Sequence, residues 1–473
     1  MKSLLPELET RVRHDLACLN YPAPNWVPPI ESVLDVLIVG AGMCGQTAAY
    51  ATRREGVRNL RIIDRAPLGR EGPWGTFARM QTLRSPKHLT GPDLGIPSLT
   101  FRAWYEAQHG EPGWAQLYKV ARLDWHDYLL WVRRMVGVAV ENGTSLESLT
   151  PDGSLLSAQL RHSDGSVEQV RARKVVLALG RDGSGALRWP KLPSFDPSQR
   201  AGKVFHSADE IDFSVFKAKR VAVLGAGSSA FDNAGTALEA GAAAVAMFVR
   251  RPILPQVNKS KWASFPGFFN GFFALSDEQR WAYFTYIFSE QVPPPFESVL
   301  RCDQHENFAL HLEAGWEDLR VEANGVTVTT RHGEQQFDAA IIATGFDVDL
   351  MARDEMQAFR GDVLTWSHRV SVEQAAQFPE EARFPYLADG FQLIERAPDA
   401  CPAARNLHIF NWGCTMSHGQ LAGDVPGLAT GALRLARALA GDLFAMSQDT
   451  LFAALLEHDE AELKPTRYYV APR

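Results

Sequence analysis

Two glycine-rich segments hold the residues of this 473-residue chain whose types and spacing most clearly serve chemistry. In the form G-x-G-x-x-G/A, the first glycine permits a tight turn, the second lets the backbone approach a pyrophosphate, and the third position keeps a helix near its sheet. The phosphates then lie at a helix N-terminus, where free N–H groups favour negative charge. Two copies predict two bound dinucleotides. Their members are Gly40, Gly42 and Gly45, and then Gly225, Gly227, Ser228, Ser229 and Ala230.

The residues that follow each copy predict which dinucleotide it binds. Asp64, with Arg65 after it, lies 24 residues past Gly40. A carboxylate there accepts hydrogen bonds from ribose hydroxyls and repels a 2′-phosphate, which favours FAD or NAD. The second copy is followed by Arg250 and Arg251, whose guanidinium groups suit the 2′-phosphate of NADPH. The alternative for these two arginines is a solvated strand end.

The elements that must position these turns can be read from the flanking apolar runs. Residues 36–64 and 221–251 each contain an apolar run, a glycine turn, a helix of small residues and a second apolar run. This pattern is a βαβ unit written twice, so we predict an α/β protein with two Rossmann-like dinucleotide-binding domains. Further along, the sequence predicts a strand over 406–411 and a helix over about 426–440.

Two other stretches have distinct compositions. Residues 1–34 are proline-rich towards their end, and we expect them to lie across the surface as an extension. Residues 253–320 are dense in Phe, Trp and Tyr, and we predict a helical insert. Its rings could pack as a core or line an apolar pocket, and the sequence leaves both open.

Composition and charge exclude several classes of protein. The net charge of −7 gives no sign of nucleic-acid binding, and no apolar run is long enough to span a bilayer. The N-terminal residues are too charged for a signal peptide. The five cysteines form no close pair and no ligand cluster, so no metal site is predicted and most dithiol-dependent flavin reductases are disfavoured. We expect a cytoplasmic protein.

The order of these motifs resembles that of the class B flavoprotein monooxygenases, which include flavin-containing, Baeyer–Villiger and N-hydroxylating enzymes. The resemblance covers most of residues 35–440. Gly72 and Trp74 resemble the glycine–tryptophan element that follows the FAD unit in that family. Thr344 and Gly345 lie in a late Ala-Thr-Gly sequence that resembles the family's link between its domains.

A third stretch resembles the flavin-adjacent segment of the N-hydroxylating members. Met80 and Gln81 match its Met–Gln pair, and Lys87 matches a lysine that reaches substrate or nucleotide, although the spacing is one residue longer here. With Arg84 and His88, Lys87 could bind a carboxylate. A solvated loop lysine is the alternative.

The Baeyer–Villiger fingerprint is only half present. Gly202 and His206 match its glycine and histidine, whereas Arg200 and Glu210 occupy its aromatic positions. The resemblance therefore favours oxygenation at nitrogen or sulfur.

The resemblance implies a domain order: extension 1–34, FAD-binding domain 35–217, inserted NADPH-binding domain 218–345 with its insert 253–320, and the rest of the FAD-binding domain over 346–473. It implies FAD and NADPH as cofactors, with O₂ activated as a C4a-(hydro)peroxyflavin. Asp424 would lie where a helix points its N-terminus at the flavin, and His418 beside the ring is a catalytic candidate. Homo-oligomers are usual among such proteins.

Alternatives to this function remain at the level of sequence. An FAD-linked NADPH reductase with a non-oxygen acceptor, a non-catalytic redox sensor, Baeyer–Villiger chemistry and oxygenation of a heteroaromatic ring are each compatible with the two nucleotide-binding turns. The substrate atom is not specified by the sequence.

Overall fold

A computed structural model describes residues 4–88, 90–460, 462–463 and 466–468. Helices and strands are numbered in chain order. The helices are α1 (Leu5–Cys18), α2 (Met43–Arg54), α3 (Phe101–Gln116), α4 (Arg122–Met135), α5 (Ser228–Glu239), α6 (Lys259–Trp262), α7 (Pro266–Gly271), α8 (Asp277–Glu290), α9 (Phe296–Asp303), α10 (Val372–Gln377), α11 (Thr415–His418), α12 (Leu428–Met446) and α13 (Gln448–Glu457).

The strands alternate with these helices in the first half of each unit and follow one another elsewhere. They are β1 (Val33–Val39), β2 (Leu60–Asp64), β3 (Glu141–Asn142), β4 (Thr144–Asp152), β5 (Leu155–His162), β6 (Val167–Leu177), β7 (Gly185–Leu187), β8 (Val204–His206), β9 (Arg220–Leu224), β10 (Ala244–Phe248), β11 (Phe308–His311), β12 (Trp316–Glu322), β13 (Gly325–Thr330), β14 (Gly333–Phe337), β15 (Ala339–Ile342), β16 (Phe346–Val348) and β17 (Leu407–Ile409).

The first sheet combines six strands from the first 177 residues with β17, which comes from the C-terminal part of the chain. Its strand order is β3-β2-β1-β6-β5-β4, and β17 pairs in parallel with β6. Strand β1 reads VLDVLIV and is buried along almost its whole length, as expected for a central parallel strand covered on both faces. The first glycine turn follows β1, and α12 packs on α2.

The second sheet has the order β11-β10-β9-β15-β8, and its strands are parallel. It lies wholly between residues 204 and 342, so it is inserted between parts of the first sheet. The antiparallel strands β12, β13 and β14 form a separate three-stranded sheet. Two Rossmann-like units, one inserted in the other, are the predicted fold class, which is therefore confirmed.

Three local expectations differ from the structure. The N-terminal extension does not simply lie across the surface, because α1 buries Leu8, Val12 and Leu16, one turn apart, against the main core. The helical part of the aromatic insert ends at Asp303, and β11 then adds a fifth strand to the second sheet. Helix α12 begins at Leu428, two residues later than predicted.

Candidate active site

The first glycine turn is packed so tightly that side chains are excluded from it. Gly40 has a φ of +95°, and a Cβ there would lie 2.7 Å from the carbonyl oxygen of Ala178. A Cβ on Gly45 would overlap the carbonyl oxygen of Gly40. Gly42 caps the N-terminus of α2 without a side chain. The turn therefore presents bare backbone N–H groups, as pyrophosphate binding requires.

The glycine–tryptophan element lies across this turn. A Cβ on Gly42 would be 3.5 Å from the Cα atom of Gly72, whose φ is +75°. The side chain of Arg122 holds the element and the Met–Gln stretch together, because it donates to the carbonyl oxygens of Trp74 and Met80. The backbone N–H of Arg122 also donates to the carbonyl oxygen of Gln81 at 3.0 Å. The structure thus places Gly72 against the first turn, and Arg122 connects Trp74 with the Met80–Gln81 stretch.

Asp64 ends β2 and bonds to the turn itself. One carboxylate oxygen accepts from the backbone N–H of Ala41 at 2.7 Å, and the other accepts from the N–H of Ala66 at 2.8 Å. Each oxygen keeps a lone pair for another donor, such as a ribose hydroxyl. Arg65 is exposed and pairs with Asp182 at 3.2 Å.

The second glycine turn is more open. Gly225 has a φ of +137°, and a Cβ there would lie 2.5 Å from the carbonyl oxygen of Ala343. In contrast, a Cβ on Gly227 would meet no atom within 4 Å, so space lies in front of the N-terminus of α5. Ser228 and Ser229 are its first helical residues, and Ala230 packs fully buried behind them.

The two arginines after β10 have no partner among the described residues. Arg250 is exposed and Arg251 is half-buried, and neither guanidinium group makes a hydrogen bond or ion pair in that part of the chain. Gly315 packs beneath the first of them, because a Cβ on this glycine would lie 2.9 Å from the Cβ of Arg250. Both cations are therefore available to an anion.

Thr344 and Gly345 connect the second sheet to the next strand. The hydroxyl group of Thr344 donates to the carbonyl oxygen of Arg188, and the N–H of Arg188 donates to the carbonyl oxygen of Gly345 at 3.0 Å. Gly345 has a φ of +86°, which favours glycine. These contacts hold the residues that follow β15 against the residue that follows β7.

The two catalytic candidates have partners elsewhere in the protein. Lys87 donates to the carbonyl oxygen of Trp114 at 2.6 Å, so it caps the C-terminal turn of α3. The ring of His418 stacks between Phe273 and Phe391, with centroids 4.7 and 4.1 Å away. Its Nε2 atom donates to the carbonyl oxygen of Ala388 at 2.8 Å.

The protonation of His418 follows from this packing. Burial, reinforced by the neighbouring Arg434, lowers its pKa to about 3. Its Nδ1 atom, 3.3 Å from Arg434, therefore accepts a hydrogen bond from that guanidinium group. A neutral ring with both nitrogens engaged is suited to packing and poorly suited to proton transfer near neutral pH.

A group of side chains around Trp412, here called the Trp412 site, lies where the C-terminal loop meets the rest of the chain. It consists of Arg84, Arg181, Phe288, Trp412 and Asp424. The guanidinium carbon of Arg181 lies 3.6 Å from the centroid of the Trp412 ring, and the ring of Phe288 lies 6.3 Å from it.

The charges of this site are incompletely neutralised. Both arginines are accessible to water, yet the surrounding protein lowers their pKa by desolvation. Desolvation also raises the pKa of Asp424, whereas the positive charges of the two arginines act to lower it. Among the described residues neither guanidinium group makes a hydrogen bond or an ion pair within salt-bridge distance. Sequence reasoning missed Arg181, because an arginine four residues after a buried strand carries no motif.

Asp424 is positioned by a contact from the first glycine helix. The N–H of its neighbour Gly423 donates to the Sγ atom of Cys44 at 3.2 Å. Cys44 is buried in α2, and burial raises the pKa of its thiol to about 11, so it remains a neutral packing group. This bond fixes the loop before α12 against the first turn.

The residues that the structure describes contain no cluster of His, Cys, Asp or Glu that could hold a metal ion. Within the same residues, no helix is long and apolar enough to cross a membrane.

Comparisons with known proteins agree with this geometry. A family model of FAD-NAD(P)-binding proteins matches residues 37–182, and a model of L-lysine 6-monooxygenase/L-ornithine 5-monooxygenase matches residues 114–291. An FAD-dependent urate hydroxylase of Xanthomonas campestris is 40% identical over 463 residues, which cover 97% of each chain.

Solved structures of similar fold include those of amino acid hydroxylases. Ornithine hydroxylase of Pseudomonas aeruginosa matches with a TM-score of 0.68 and 17% identity, covering 87% of this chain and 100% of that one. L-lysine 6-monooxygenase of Pseudomonas syringae matches with a TM-score of 0.64 and 18% identity, covering 86% and 99%.

The chain therefore belongs to the class B flavoprotein monooxygenases, in the group that contains the lysine and ornithine monooxygenases and the urate hydroxylase. It is an oxidoreductase that uses FAD, NADPH and O₂. The predicted monooxygenase function is confirmed over the reductase alternative.

The residues present fit FAD. The first turn has a backbone cradle that a Cβ would fill, a helix N-terminus, and a carboxylate at the end of the second strand. When bound, FAD supplies the redox chemistry that takes electrons from NADPH and activates O₂. The protein's own residues bind the two nucleotides, orient them and exclude water.

Proposed function

We propose that this monooxygenase hydroxylates urate or a closely related planar, anionic heteroaromatic compound. The observation that carries the proposal is the 40% identity to an FAD-dependent urate hydroxylase along 97% of both chains. The matched 463 residues span the segments proposed here to bind substrate as well as the nucleotide turns.

The Trp412 site supports this substrate class. A flat ring system suits the aromatic surfaces of Trp412 and Phe288. A delocalised anion suits the guanidinium groups of Arg84 and Arg181, because neither has a carboxylate partner within salt-bridge distance, although Arg181 lies over the Trp412 ring. Phe288 comes from the aromatic insert, so the insert contributes to this site as well as to the core. An amino acid side chain with an ammonium group would find one carboxylate, Asp424, beside two cations.

We further propose roles for the predicted site residues. Lys87 and His418 support loops and do not exchange protons with the substrate. Sixteen predicted nucleotide contacts divide between two groups: Gly40, Gly42, Gly45, Asp64, Gly72, Trp74, Met80, Gln81 and Asp424 for FAD, and Gly225, Gly227, Ser228, Ser229, Ala230, Arg250 and Arg251 for NADPH.

We also propose a cellular location and an oligomeric state. A reducing compartment, the cytoplasm, is supported by five free cysteines, four of them buried. A homo-oligomer is supported by exposed apolar side chains on the C-terminal helix α13, among them Phe452, Leu455 and Leu456. Sedimentation of the purified protein tests the second point.

The substrate is tested by coupling. FAD-loaded protein is supplied with NADPH and O₂ together with urate, L-ornithine or L-lysine, and NADPH oxidised, product formed and hydrogen peroxide released are measured. We expect urate to raise NADPH oxidation with one product molecule per NADPH and to take one atom from isotopically labelled O₂. Coupled N-hydroxylation of either amino acid, with urate inert, would instead assign the amine substrate of the structural neighbours.

A further inference from the structure

Arg301, in helix α9 of the aromatic insert, is a buried arginine that the nucleotide sites do not account for. Its side chain is 8% exposed. The Nε and Nη2 atoms donate to the two carboxylate oxygens of Glu239 at 2.8 and 2.7 Å, and Nη2 also donates to Thr236 at 3.1 Å. Asp232 lies 3.7 Å away. All three partners belong to α5, the helix that follows the second glycine turn.

The face of α5 that receives this guanidinium group is built for it. Gly235 and Thr236 lie three and four residues after Asp232, and Glu239 lies four and three residues after them, so these residues share one side of the helix. A Cβ on Gly235 would lie 3.2 Å from the Cβ of Arg301 and 3.4 Å from its Cζ atom. The absence of a side chain lets the guanidinium group lie flat against the helix. Two carboxylates then compensate one buried cation.

The remaining nitrogen of Arg301 reaches the first nucleotide unit. Its Nη1 atom donates to the carbonyl oxygen of Arg79 at 3.1 Å, immediately before Met80. Gln81 adds a second link, because its side-chain amide donates to Glu239 at 3.4 Å. Helix α9 is also tied to the first unit through Glu297, which accepts from Lys119 at 2.7 Å.

We propose that Arg301 is a positioning residue that fixes α5, with its NADPH, against the Met80–Gln81 segment beside the flavin. The proposal rests on the assignment of these two segments to NADPH and FAD. Hydride transfer depends steeply on the separation of donor and acceptor, and a misplacement of about 1 Å can lower a rate about a hundredfold. A charged group that bonds to both segments at once is placed to set that separation.

The first experiment compares Arg301→Ala and Arg301→Lys with the control Arg320→Ala, whose exposed guanidinium group pairs with Glu334 in the separate antiparallel sheet. Flavin reduction by NADPH is followed by stopped flow and normalised to bound flavin. We expect the limiting rate to fall about tenfold to a hundredfold in Arg301→Ala. Arg301→Lys should have an intermediate limiting rate, because lysine keeps the positive charge but lacks the planar guanidinium group that bonds to several partners at once. The half-saturating NADPH concentration should change little.

A second measurement uses flavin-free protein, where activity plays no part. The backbone amides of Leu83 and Arg122 donate to the carbonyl oxygens of Val120 and Gln81 at 2.8 and 3.0 Å and so report on this segment. Their hydrogen exchange should accelerate in Arg301→Ala, because the segment loses the restraint on the Arg79 carbonyl, and should stay unchanged in Arg320→Ala. If Arg301→Ala does not fold, Arg301→Lys and Glu239→Gln carry both measurements.

A lower melting temperature with an unchanged limiting rate per bound flavin would overturn the proposal and leave Arg301 a stabilising residue only. Failure of the cofactor assignment would be recognised separately, since replacement of Arg250 and Arg251 would then leave NADPH saturation unaltered.

Discussion

The two glycine turns share a sequence pattern but differ in how completely the protein fills the space around them. The first is enclosed: Gly45 contacts the backbone of Gly40, Gly72 lies across the turn, and Asp64 accepts from the N–H of Ala41 within it. The second leaves open space at Gly227 and two unpaired arginines at the end of its second strand. An enclosed site suits a nucleotide that stays bound, and an open one suits a nucleotide that enters and leaves in each cycle.

The largest effect is expected from Gly45→Ala. The added methyl group would overlap the carbonyl oxygen of Gly40, so the turn must shift, at a cost of about 1–3 kcal/mol in stability. We expect a lower melting temperature and purified protein that has lost most of its FAD, measured by flavin absorbance after gel filtration. A yellow, stable variant would contradict the enclosed character of the first turn.

The next effect is expected from the double replacement of Arg250 and Arg251 by alanine. Loss of charge-assisted hydrogen bonds to a 2′-phosphate should raise KM for NADPH about tenfold to a hundredfold. KM for NADH and FAD content should change little, and steady-state kinetics with both nicotinamides measure this. Equal changes for NADPH and NADH would show that the arginines do not distinguish the phosphate.

A pH effect is expected in the part of the first unit that β17 and α11 supply. Burial lowers the pKa of His408 and of His418 to about 3, against 6.5 in the unfolded chain. Below pH 6.5 the unfolded chain therefore binds protons that the folded protein does not. The free energy of unfolding should be fully retained above pH 6.5 and should fall by about 1.4 kcal/mol per pH unit for each ring towards pH 3.

Urea unfolding of the flavin-free protein at pH 7.0 and at about pH 5.5 measures this slope. His418→Gln should reduce the slope by the share of one ring. An unaltered slope in that variant would show that His418 is not buried in its neutral form.

The smallest effect on stability is expected from Gly227→Ala, the counterpart of the first variant. Its φ of −80° is accessible to alanine, and the methyl group would meet no protein atom. We expect a change in stability within about 0.5 kcal/mol and unchanged FAD content, with a higher KM for NADPH. A large loss of stability here would remove the distinction between the two turns.

The sequence predicted the parts of this molecule that depend on local pattern. Both βαβ units, their order and the charges at the ends of their second strands follow from short motifs, and the fold class was correct. The parts that depend on distant contacts were not predicted. Arg301 meets a carbonyl group 222 residues away, and nothing in the sequence around it signals that partner.

Side-chain direction was the second limit. Lys87 has the residue type and approximate position of a ligand-binding lysine, yet its ammonium group donates to a carbonyl oxygen in the last turn of α3. His418 was predicted beside the flavin, but the rings that enclose it, Phe273 and Phe391, come from separate parts of the chain. Burial by such neighbours decides whether a histidine titrates, and burial is a property of the tertiary structure.

The pairing of β17 with β6 also constrains the order in which the chain folds during its synthesis on the ribosome. Val175 and Leu177 have no parallel neighbour on that side until residues 407–409 emerge. The second sheet, contained within residues 204–342, has all its strands much earlier. Nascent chains should therefore acquire a protease-resistant internal domain before they can retain a flavin, and a truncation before residue 400 should leave a colourless protein with an aggregation-prone strand edge.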